Sequence, residues 1–199
     1  MNWKDYVSIA NRLKKNLSEG RYVHSLGVAY TASSMAMRYE YPQEQALLAG
    51  LLHDCAKDIP DEENIALMRS AGMEPTKFEL ENPKLLHAKG GSVLARTKYG
   101  LEDEALLSAI RYHTTGKPDM TLIEKIIYIA DYIEPKRDHA SNLPYVRHLA
   151  FTDIDACLLQ ILSDTVHHLA NTHRTTDPGT LETYEFYKNL LKRQPHVNI

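Results

Sequence analysis

An adjacent histidine and aspartate, His53 and Asp54, end an apolar segment that reads Leu-Leu-Ala-Gly-Leu-Leu. Ala46, Gly50, His53 and Lys57 recur at helical spacing, which predicts that they share one face of a helix. The small residues allow a neighbouring helix to approach closely. Two interpretations follow. The pair either ends a helix with no further role, or it offers an imidazole and a carboxylate to a metal, with Lys57 near enough to meet a phosphate.

Two further residues complete a candidate metal-ligand set. His24 lies upstream of the pair and Asp131 lies downstream. With His53 and Asp54 they offer two imidazoles and two carboxylates to one divalent metal. This mixture suits iron, manganese or zinc and leaves coordination positions open for water and substrate. A divalent metal lowers the pKa of bound water towards about 7, so the set favours hydrolytic chemistry.

The composition is that of an ordinary globular domain. The chain has 199 residues, 43% of them hydrophobic and 25% charged, with a net charge of −3. This charge argues against non-specific binding to nucleic acid or membranes. No apolar run approaches the ~20 residues of a membrane span, and the N-terminus lacks a signal-peptide core. Two cysteines, Cys55 and Cys157, provide no disulfide framework, and a cytoplasmic location is expected.

The hydrophobic periodicity is helical along almost the whole chain, and strand-type alternation is scarce. The fold class that we predict is therefore all-α, without internal repeats. Residues 73–83 hold two prolines and are predicted to be a connection. The predicted helices cover residues 6 to about 20, 21–39, 42–53, 61–71, a segment around 87–94, 102–113, 121–134, one long helix at 145–170, and 181–191.

The order of these residues resembles the HD superfamily of metal-dependent phosphohydrolases, whose His-Asp-x-x-Lys form is carried here by residues 53–57. His87, the run Arg111–Gly116 and the run Ala130–Arg137 narrow the match. With them the chain resembles the YqeK family of bacterial symmetrical diadenosine tetraphosphate hydrolases. The His-Thr-Thr-Gly and Asp-Tyr-Ile-Glu-Pro-x-Arg runs are much more specific than the superfamily signature.

This resemblance implies a single HD-domain helical bundle over residues 1–199. The motif core covers about 20–140, and a helical extension covers about 145–194. The implied reaction is metal-dependent hydrolysis of diadenosine tetraphosphate into two ADP. The implied cofactor is a divalent transition metal, iron in the first place, with manganese or another divalent ion as the alternative. One or two ions are expected per chain.

The resemblance also implies roles for individual residues. Asp54 and Lys57 are expected to be catalytic. His87 and His113 are expected to hold a second metal bridged through Asp54, or to contact phosphate directly. The metal ligands are expected to be His24, His53, Asp54 and Asp131. The expected substrate contacts are Arg21, Lys57, His87, His113, Thr114, Asp131, Arg137, Arg174 and Thr175.

Other functions stay open at this point. A nucleotidase or a cyclic-nucleotide phosphodiesterase of the same superfamily is the first alternative, and an HD-fold oxygenase with two irons is a more distant one. The alternative that is not an enzyme is a non-catalytic nucleotide sensor. The intact set of His and Asp residues argues against the sensor. A small nucleotide is the expected partner, without nucleic acid or membrane, and a homodimer is one expectation for the assembly.

Overall fold

The computed structural model of the chain describes residues 3–138 and 140–193. These residues form an all-α fold, and no strand occurs among them. A single 3-10 turn, Pro83–Leu85, leads into the sixth helix. The helices of the described residues are α1 (Trp3–Lys14), α2 (Glu19–Arg38), α3 (Gln43–Leu52), α4 (Asp61–Ser70), α5 (Lys77–Glu81), α6 (Leu86–Tyr99), α7 (Glu104–Tyr112), α8 (Leu122–Ile133), α9 (Leu143–Thr152), α10 (Ile154–Asn171) and α11 (Pro178–Arg193).

Helices α2, α3 and α8 form the centre of the core. Helix α2 packs along both α3 and α8, and α7 also packs on α3 and α8. The buried faces of these helices consist mostly of alanine, leucine and isoleucine, so the helices exclude water between them. Helix α6 packs on α7, and α4 packs on α6. Helix α10 packs on α8 and contacts α11, whereas α9 contacts α2 and α8 directly as well as α10.

Helices α2 and α3 are in backbone contact at Gly50. A Cβ atom there would lie 2.8 Å from the Cα of Ala29 and 3.1 Å from both the amide nitrogen of Ala29 and the carbonyl oxygen of Val28. The close approach predicted from the small residues of α3 is thus present. It brings His24 and His53 together, with their ring centroids 5.2 Å apart.

Side-chain caps fix where two of the motif helices, α7 and α8, begin. Thr121 and Glu124 form a capping box before α8, and the backbone N–H of Thr121 donates to Glu124 Oε2 at 2.7 Å. The carboxylate of Asp103 accepts from backbone N–H groups in the first turn of α7. These caps set the register of both helices. As a result His113 follows the end of α7, and Asp131 lies in the last turn of α8.

The prediction of one long helix over residues 145–170 is wrong. The chain forms two helices, α9 and α10, which meet at Asp153. Asp153 has an extended backbone, with φ −148 and ψ 98, and its Oδ1 accepts a hydrogen bond from the N–H of Ala156 at 2.9 Å. An aspartate that caps a new helix satisfies a free N–H group and outweighs a continuous helical pattern.

The predicted connection at residues 73–83 contains a short helix, α5. Its start is a capping box in which Thr76 and Glu79 exchange hydrogen bonds at 2.8 and 3.1 Å. The signal was present in the sequence as a threonine followed by a glutamate three residues later.

Lys57 does not share a helix face with His53, so that prediction is also wrong. Helix α3 ends at Leu52, and residues 53–58 form turns. Within them the N–H of Lys57 donates to the carbonyl of Asp54 at 3.0 Å, which is a three-residue spacing. Because this turn is tighter than that of an α-helix, Lys57 does not follow His53 by one helical turn, and its side chain lies beside His87.

None of the helices within residues 3–138 and 140–193 is long and apolar enough to cross a membrane. Residues 1–2 and 194–199, which belong to the predicted single domain, lie outside the described residues. The division into a motif core and a C-terminal extension stays a prediction.

The contact at Gly50 gives a test of the fold. We expect Gly50→Ala to lower the free energy of unfolding by about 1–3 kcal/mol, because the atoms that a Cβ would meet belong to the backbone of α2 and cannot rotate away. Gly20→Ala is the matched control: nothing lies within 4 Å of a Cβ at that helical position. This control should leave stability unchanged or raise it by up to about 1 kcal/mol. Urea unfolding followed by circular dichroism measures both, and equal stability of Gly50→Ala and the unmodified chain would contradict the close contact.

Candidate metal centre

Six of the residues singled out in the sequence lie together at the centre of the bundle. They come from five separate segments: the first half of α2, the turn after α3, the first turn of α6, the residue after α7 and the last turn of α8. Asp131 is partly exposed and the others are buried. The members of this cluster, the His/Asp cluster, are His24, His53, Asp54, His87, His113 and Asp131.

The carboxylate of Asp54 lies between two groups of imidazoles. Its Oδ1 is 3.0 Å from His87 Nε2 and 3.5 Å from His113 Nε2. Its Oδ2 is 3.5 Å from His53 Nε2 and 3.8 Å from His24 Nε2. Each oxygen therefore faces a different pair of histidines, which is the arrangement that a bridging carboxylate needs.

Asp131 completes one of these groups. Its Oδ1 lies 3.0 Å from His24 Nε2 and 3.7 Å from His53 Nε2. These two imidazoles consequently face two carboxylates, Asp131 from α8 and Asp54 from the turn after α3.

Three of the histidines are oriented by the backbone three residues before them. The Nδ1 atoms of His53, His87 and His113 each lie 2.7 Å from a carbonyl oxygen. A carbonyl can only accept, so Nδ1 carries the proton and donates it, and the Nε2 atom is left with a free lone pair. This is the tautomer in which an imidazole binds a metal through Nε2.

His24 is oriented by a carboxylate of the Asp-Tyr-Ile-Glu-Pro-x-Arg run to which the sequence assigned no role. Its Nδ1 donates to Glu134 Oε1 at 3.0 Å. Burial opposes protonation of His24, but the carboxylates of Asp131 and Glu134 raise its pKa above the usual value. Glu134 is itself buried, and its Oε2 accepts the N–H of Lys136 at 2.7 Å.

A glycine on α2 leaves room for the carboxylate of Glu134 beside His24. A Cβ at Gly27 would lie 2.6 Å from Glu134 Oε2. The signal in the sequence was the position of Gly27, three residues after His24 and therefore near it on the helix surface.

The protonation states of His53 and of the two carboxyl groups suit a metal. Burial lowers the pKa of His53 to about 4, so this imidazole is neutral at neutral pH. Burial by itself would raise the pKa of Asp54, but His53, His113 and His87 hold it well below its usual range. The pKa of Asp131 is lowered in the same way by His24 and His53. Both carboxyl groups are ionised at neutral pH.

Two arginines lie at the rim of the cluster. Arg21 Nη1 is 2.7 Å from Asp54 Oδ2, and Arg137 Nη2 is 2.6 Å from Asp131 Oδ1. Each is partly exposed, so its remaining N–H groups can reach a ligand. A cleft of ≈ 450 Å³ opens here and is lined by Ser18, Gly20, Arg21, His24, Glu134, Lys136, Arg137 and Asp138.

Lys57 lies at the other side of the cluster. Its Nζ is 3.1 Å from His87 Nε2 and 3.2 Å from Nδ1 of the same ring. Burial lowers the pKa of this lysine. The cations of the site thus flank it: Lys57 is beside His87, whereas Arg21 and Arg137 are beside the carboxylates that face His24.

The remaining predicted residues lie outside the cluster. Thr114 follows His113 directly and is partly buried, while Arg174 and Thr175 lie exposed in the turn between α10 and α11. Among the contacts of the described residues, none joins Arg174 or Thr175 to the cluster. Their role as substrate contacts stays a prediction.

A second cleft, of ≈ 700 Å³, opens beside the loop after α7 and the start of α11. Tyr112, Thr115 and Gly116 line it, but the six members of the His/Asp cluster do not. The larger cleft and the candidate metal-binding atoms therefore lie in different places. We assign the site to the smaller cleft, because the imidazole and carboxylate atoms of the His/Asp cluster converge beside it.

The cluster fits a divalent metal. Among the described residues, two groups place their ligand atoms within 4.8 Å of one another: His24, His53 and Asp131, and His53, Asp54 and His113. His53 Nε2 is buried and makes no hydrogen bond with any described residue, although it points at two carboxylates. Buried polar atoms are normally satisfied, so a metal that binds this lone pair explains the arrangement. Mixed imidazole and carboxylate donors suit iron, manganese and zinc.

Comparison with known proteins agrees with this geometry. The HD domain family matches residues 21–136 of the chain. The symmetrical bis(5'-nucleosyl)-tetraphosphatase of Bacillus subtilis is 40% identical over 174 residues, which cover 87% of this chain and 92% of that protein. The protein of the same name from Staphylococcus aureus is 36% identical over 186 residues, with 91% and 94% covered.

A solved structure is also similar. It is the crystal structure of a predicted HD superfamily hydrolase involved in NAD metabolism from Clostridium acetobutylicum, with a TM-score of 0.89 and 39% sequence identity. The match covers 93% of this chain and 97% of that chain. The motifs, the helical fold and the His/Asp cluster thus agree with the comparisons, and the chain belongs to the HD domain family.

Proposed function

We propose that this protein hydrolyses diadenosine tetraphosphate symmetrically into two ADP, in a reaction that depends on a divalent metal. The observation that carries the proposal is the His/Asp cluster, in which the carboxylate of Asp54 faces imidazoles on both sides and cations lie at the rim. The relatives at 36–40% identity support the choice of substrate, because they are named symmetrical bis(5'-nucleosyl)-tetraphosphatases and match this chain over most of their length.

We propose that two ions bind. His24, His53, Asp54 and Asp131 hold the first through the atoms that face one another in the cluster. His87 and His113 hold the second together with Oδ1 of Asp54. When bound, such ions polarise a phosphoryl oxygen and make water a nucleophile at neutral pH. Iron is the metal that we propose, with manganese as the nearest alternative for this donor set.

Residues of the chain bind and orient the polyphosphate. Arg21 and Arg137 can each turn a guanidinium towards phosphate oxygens, and arginine does so with two parallel hydrogen bonds. Lys57 acts as a point charge at the opposite side of the cluster. Donors placed where negative charge develops stabilise the transition state more than the ground state. In the proposed reaction Asp54 also accepts a hydrogen bond from the attacking water and orients it.

The placement of these cations suits a cut in the middle of a chain of phosphates. Lys57 lies beside His87, and Arg137 lies 3.5 Å from His24, so positive charge flanks the cluster on two sides. A substrate whose phosphates extend on both sides of the cluster presents an inner phosphorus to it. The water oxygen then bonds to that phosphorus, the bond from the phosphorus to the bridging oxygen breaks, and the second ADP leaves with that oxygen. The protons of the water pass to the solvent.

Several finer points remain part of the proposal. Thr114, Arg174 and Thr175 would contact the nucleotide from the loop after α7 and from the turn before α11. We also propose a homodimer and a cytoplasmic location. Light scattering after gel filtration tests the assembly, and cell fractionation tests the location.

Metal content tests the ligand assignment. We expect two divalent ions per chain, one in His113→Ala and fewer than one in Asp54→Asn, since the bridging carboxylate serves both ions. Asp61→Asn, an exposed aspartate in the first turn of α4, is the matched control and should keep both ions. Elemental analysis by mass spectrometry gives the stoichiometry, and circular dichroism checks that each variant is folded.

One ion in the unmodified protein, with no change in His113→Ala, would assign His87 and His113 to phosphate. Full metal content and activity in Asp54→Asn would remove Asp54 from the centre altogether.

Removal of the lysine tests its role towards phosphate. We expect Lys57→Ala to retain its metal and to lose at least ~10-fold in kcat, the equivalent of about 1.4 kcal/mol of lost transition-state stabilisation. Lys188→Ala removes a partly exposed lysine whose partners, Glu185 and Tyr184, lie on the same helix, and it should keep the full rate. Equal rates for Lys57→Ala and Lys188→Ala would place Lys57 outside the reaction.

The products test the position of the cut. With diadenosine tetraphosphate we expect ADP as the only product, two molecules for each substrate. Hydrolysis in oxygen-18 water should label one ADP of each pair, because the attack is on a single inner phosphorus. Chromatography and mass spectrometry measure both. ATP together with AMP would reject the symmetrical cut, and activity on mononucleotides alone would support the alternative of a nucleotidase.

A further inference from the structure

Arg147, on α9, lies outside every motif of the sequence but contacts the loop that follows α8. Its Nε donates to the carbonyl oxygen of Ile133 at 3.0 Å. Its Nη2 donates to the carbonyl oxygens of Glu134 at 3.1 Å and of Arg137 at 3.0 Å. One guanidinium therefore binds the end of a helix and the end of the following loop at the same time.

The carbonyl of Ile133 needs a donor from outside the helix. The last carbonyl groups of an α-helix have no intrahelical partner, and α8 ends at Ile133. At Glu134 the backbone leaves the helix, with φ −50 and ψ 153. Without Arg147, the carbonyl of Ile133 would lose a donor, and the segment 134–137 would be held to α9 by fewer contacts.

The segment 134–137 carries two side chains of the site. Glu134 orients His24 through a hydrogen bond of 3.0 Å. Arg137 contacts Asp131 twice, at 2.6 Å through the carboxylate and at 2.9 Å through the carbonyl. The positions of both side chains depend on how firmly this segment is held.

We infer that Arg147 is a positioning residue for the reaction, which acts by holding the segment 134–137 so that Arg137 meets the polyphosphate at a fixed place. This inference rests on the proposed function for the role of Arg137. Arg147 has no contact with the metal ligands of the cluster among the described hydrogen bonds and ion pairs. Its influence therefore passes through the segment that it binds.

The test uses Arg147→Lys. A lysine keeps the positive charge, but its single nitrogen cannot reproduce the planar fork that bonds three carbonyls. Arg38→Lys is the matched control. Arg38 on α2 also binds a backbone carbonyl of α9, because its Nε donates to the carbonyl of Phe151 at 2.7 Å, but Arg38 does not contact the segment 134–137.

Hydrogen exchange of two backbone amides reports the order of the segment without any substrate. The N–H of Lys136 donates to Glu134 Oε2 at 2.7 Å, and the N–H of Arg137 donates to the Glu134 carbonyl at 2.9 Å. In Arg147→Lys we expect both amides to exchange at least ~10-fold faster. In Arg38→Lys their exchange should be unchanged. Unchanged exchange in Arg147→Lys overturns the inference.

A double-mutant cycle then asks whether Arg147 acts through Arg137. In the holoenzyme with diadenosine tetraphosphate, Arg147→Lys should lower kcat/KM about tenfold. In the background of Arg137→Ala the same change should lower kcat/KM by a clearly smaller factor, because only the contact of Glu134 with His24 then remains to be disturbed. A residue that only stabilised the fold would lower the melting temperature and give the same fold-change in both backgrounds, which would overturn the inference.

The hydrogen-exchange experiment and the double-mutant cycle together distinguish a failure of this inference from a failure of the proposed function. If the unmodified holoenzyme does not hydrolyse diadenosine tetraphosphate, the proposed function fails, and hydrogen exchange still decides whether Arg147 holds the segment. If it does hydrolyse the substrate and the cycle is additive, the function stands and the positioning role is rejected.

Discussion

The structure depends on one buried anion, the carboxylate of Asp54. It is 3% exposed, it lies beside imidazoles that come from α2, α6 and the residue after α7, and it pairs with Arg21. An ionised carboxylate in an apolar interior costs several kcal/mol unless charged or hydrogen-bonding partners surround it. The helices that meet at the centre supply those partners, so the packing of the bundle and the chemistry of the site satisfy the same requirement.

Much of the fold and of the site could be predicted from the sequence, because the relevant signals are local. The helical period and the change of pattern at prolines and glycines give an all-α fold. The six members of the His/Asp cluster were named from residue type, order and family resemblance, and the structure brings them together. Their assignment to metal or phosphate is a separate question, which geometry supports and metal analysis decides.

The features that escaped prediction depend on contacts between distant segments or on competition between local signals. Glu134 meets His24 across 110 positions of the chain, and the glycine that admits it has meaning only when α2 and the loop after α8 are adjacent. Arg147 resembles any helical surface arginine until its three carbonyl partners are seen. At Asp153 a capping preference overrides helical periodicity, so a pattern counted over twenty-odd residues misses the break.

The carbonyls that orient three of the histidines lie only three residues before them. Each of those ring orientations is consequently determined within a single segment of the chain and would persist if the surrounding helices shifted. His24 differs, because its ring is aimed by a glutamate from another part of the protein. It is thus the member of the His/Asp cluster whose orientation depends on a contact between distant segments of the chain. A loss of order after α8 would disturb the orientation of His24, whereas the rings of His53, His87 and His113 would keep theirs.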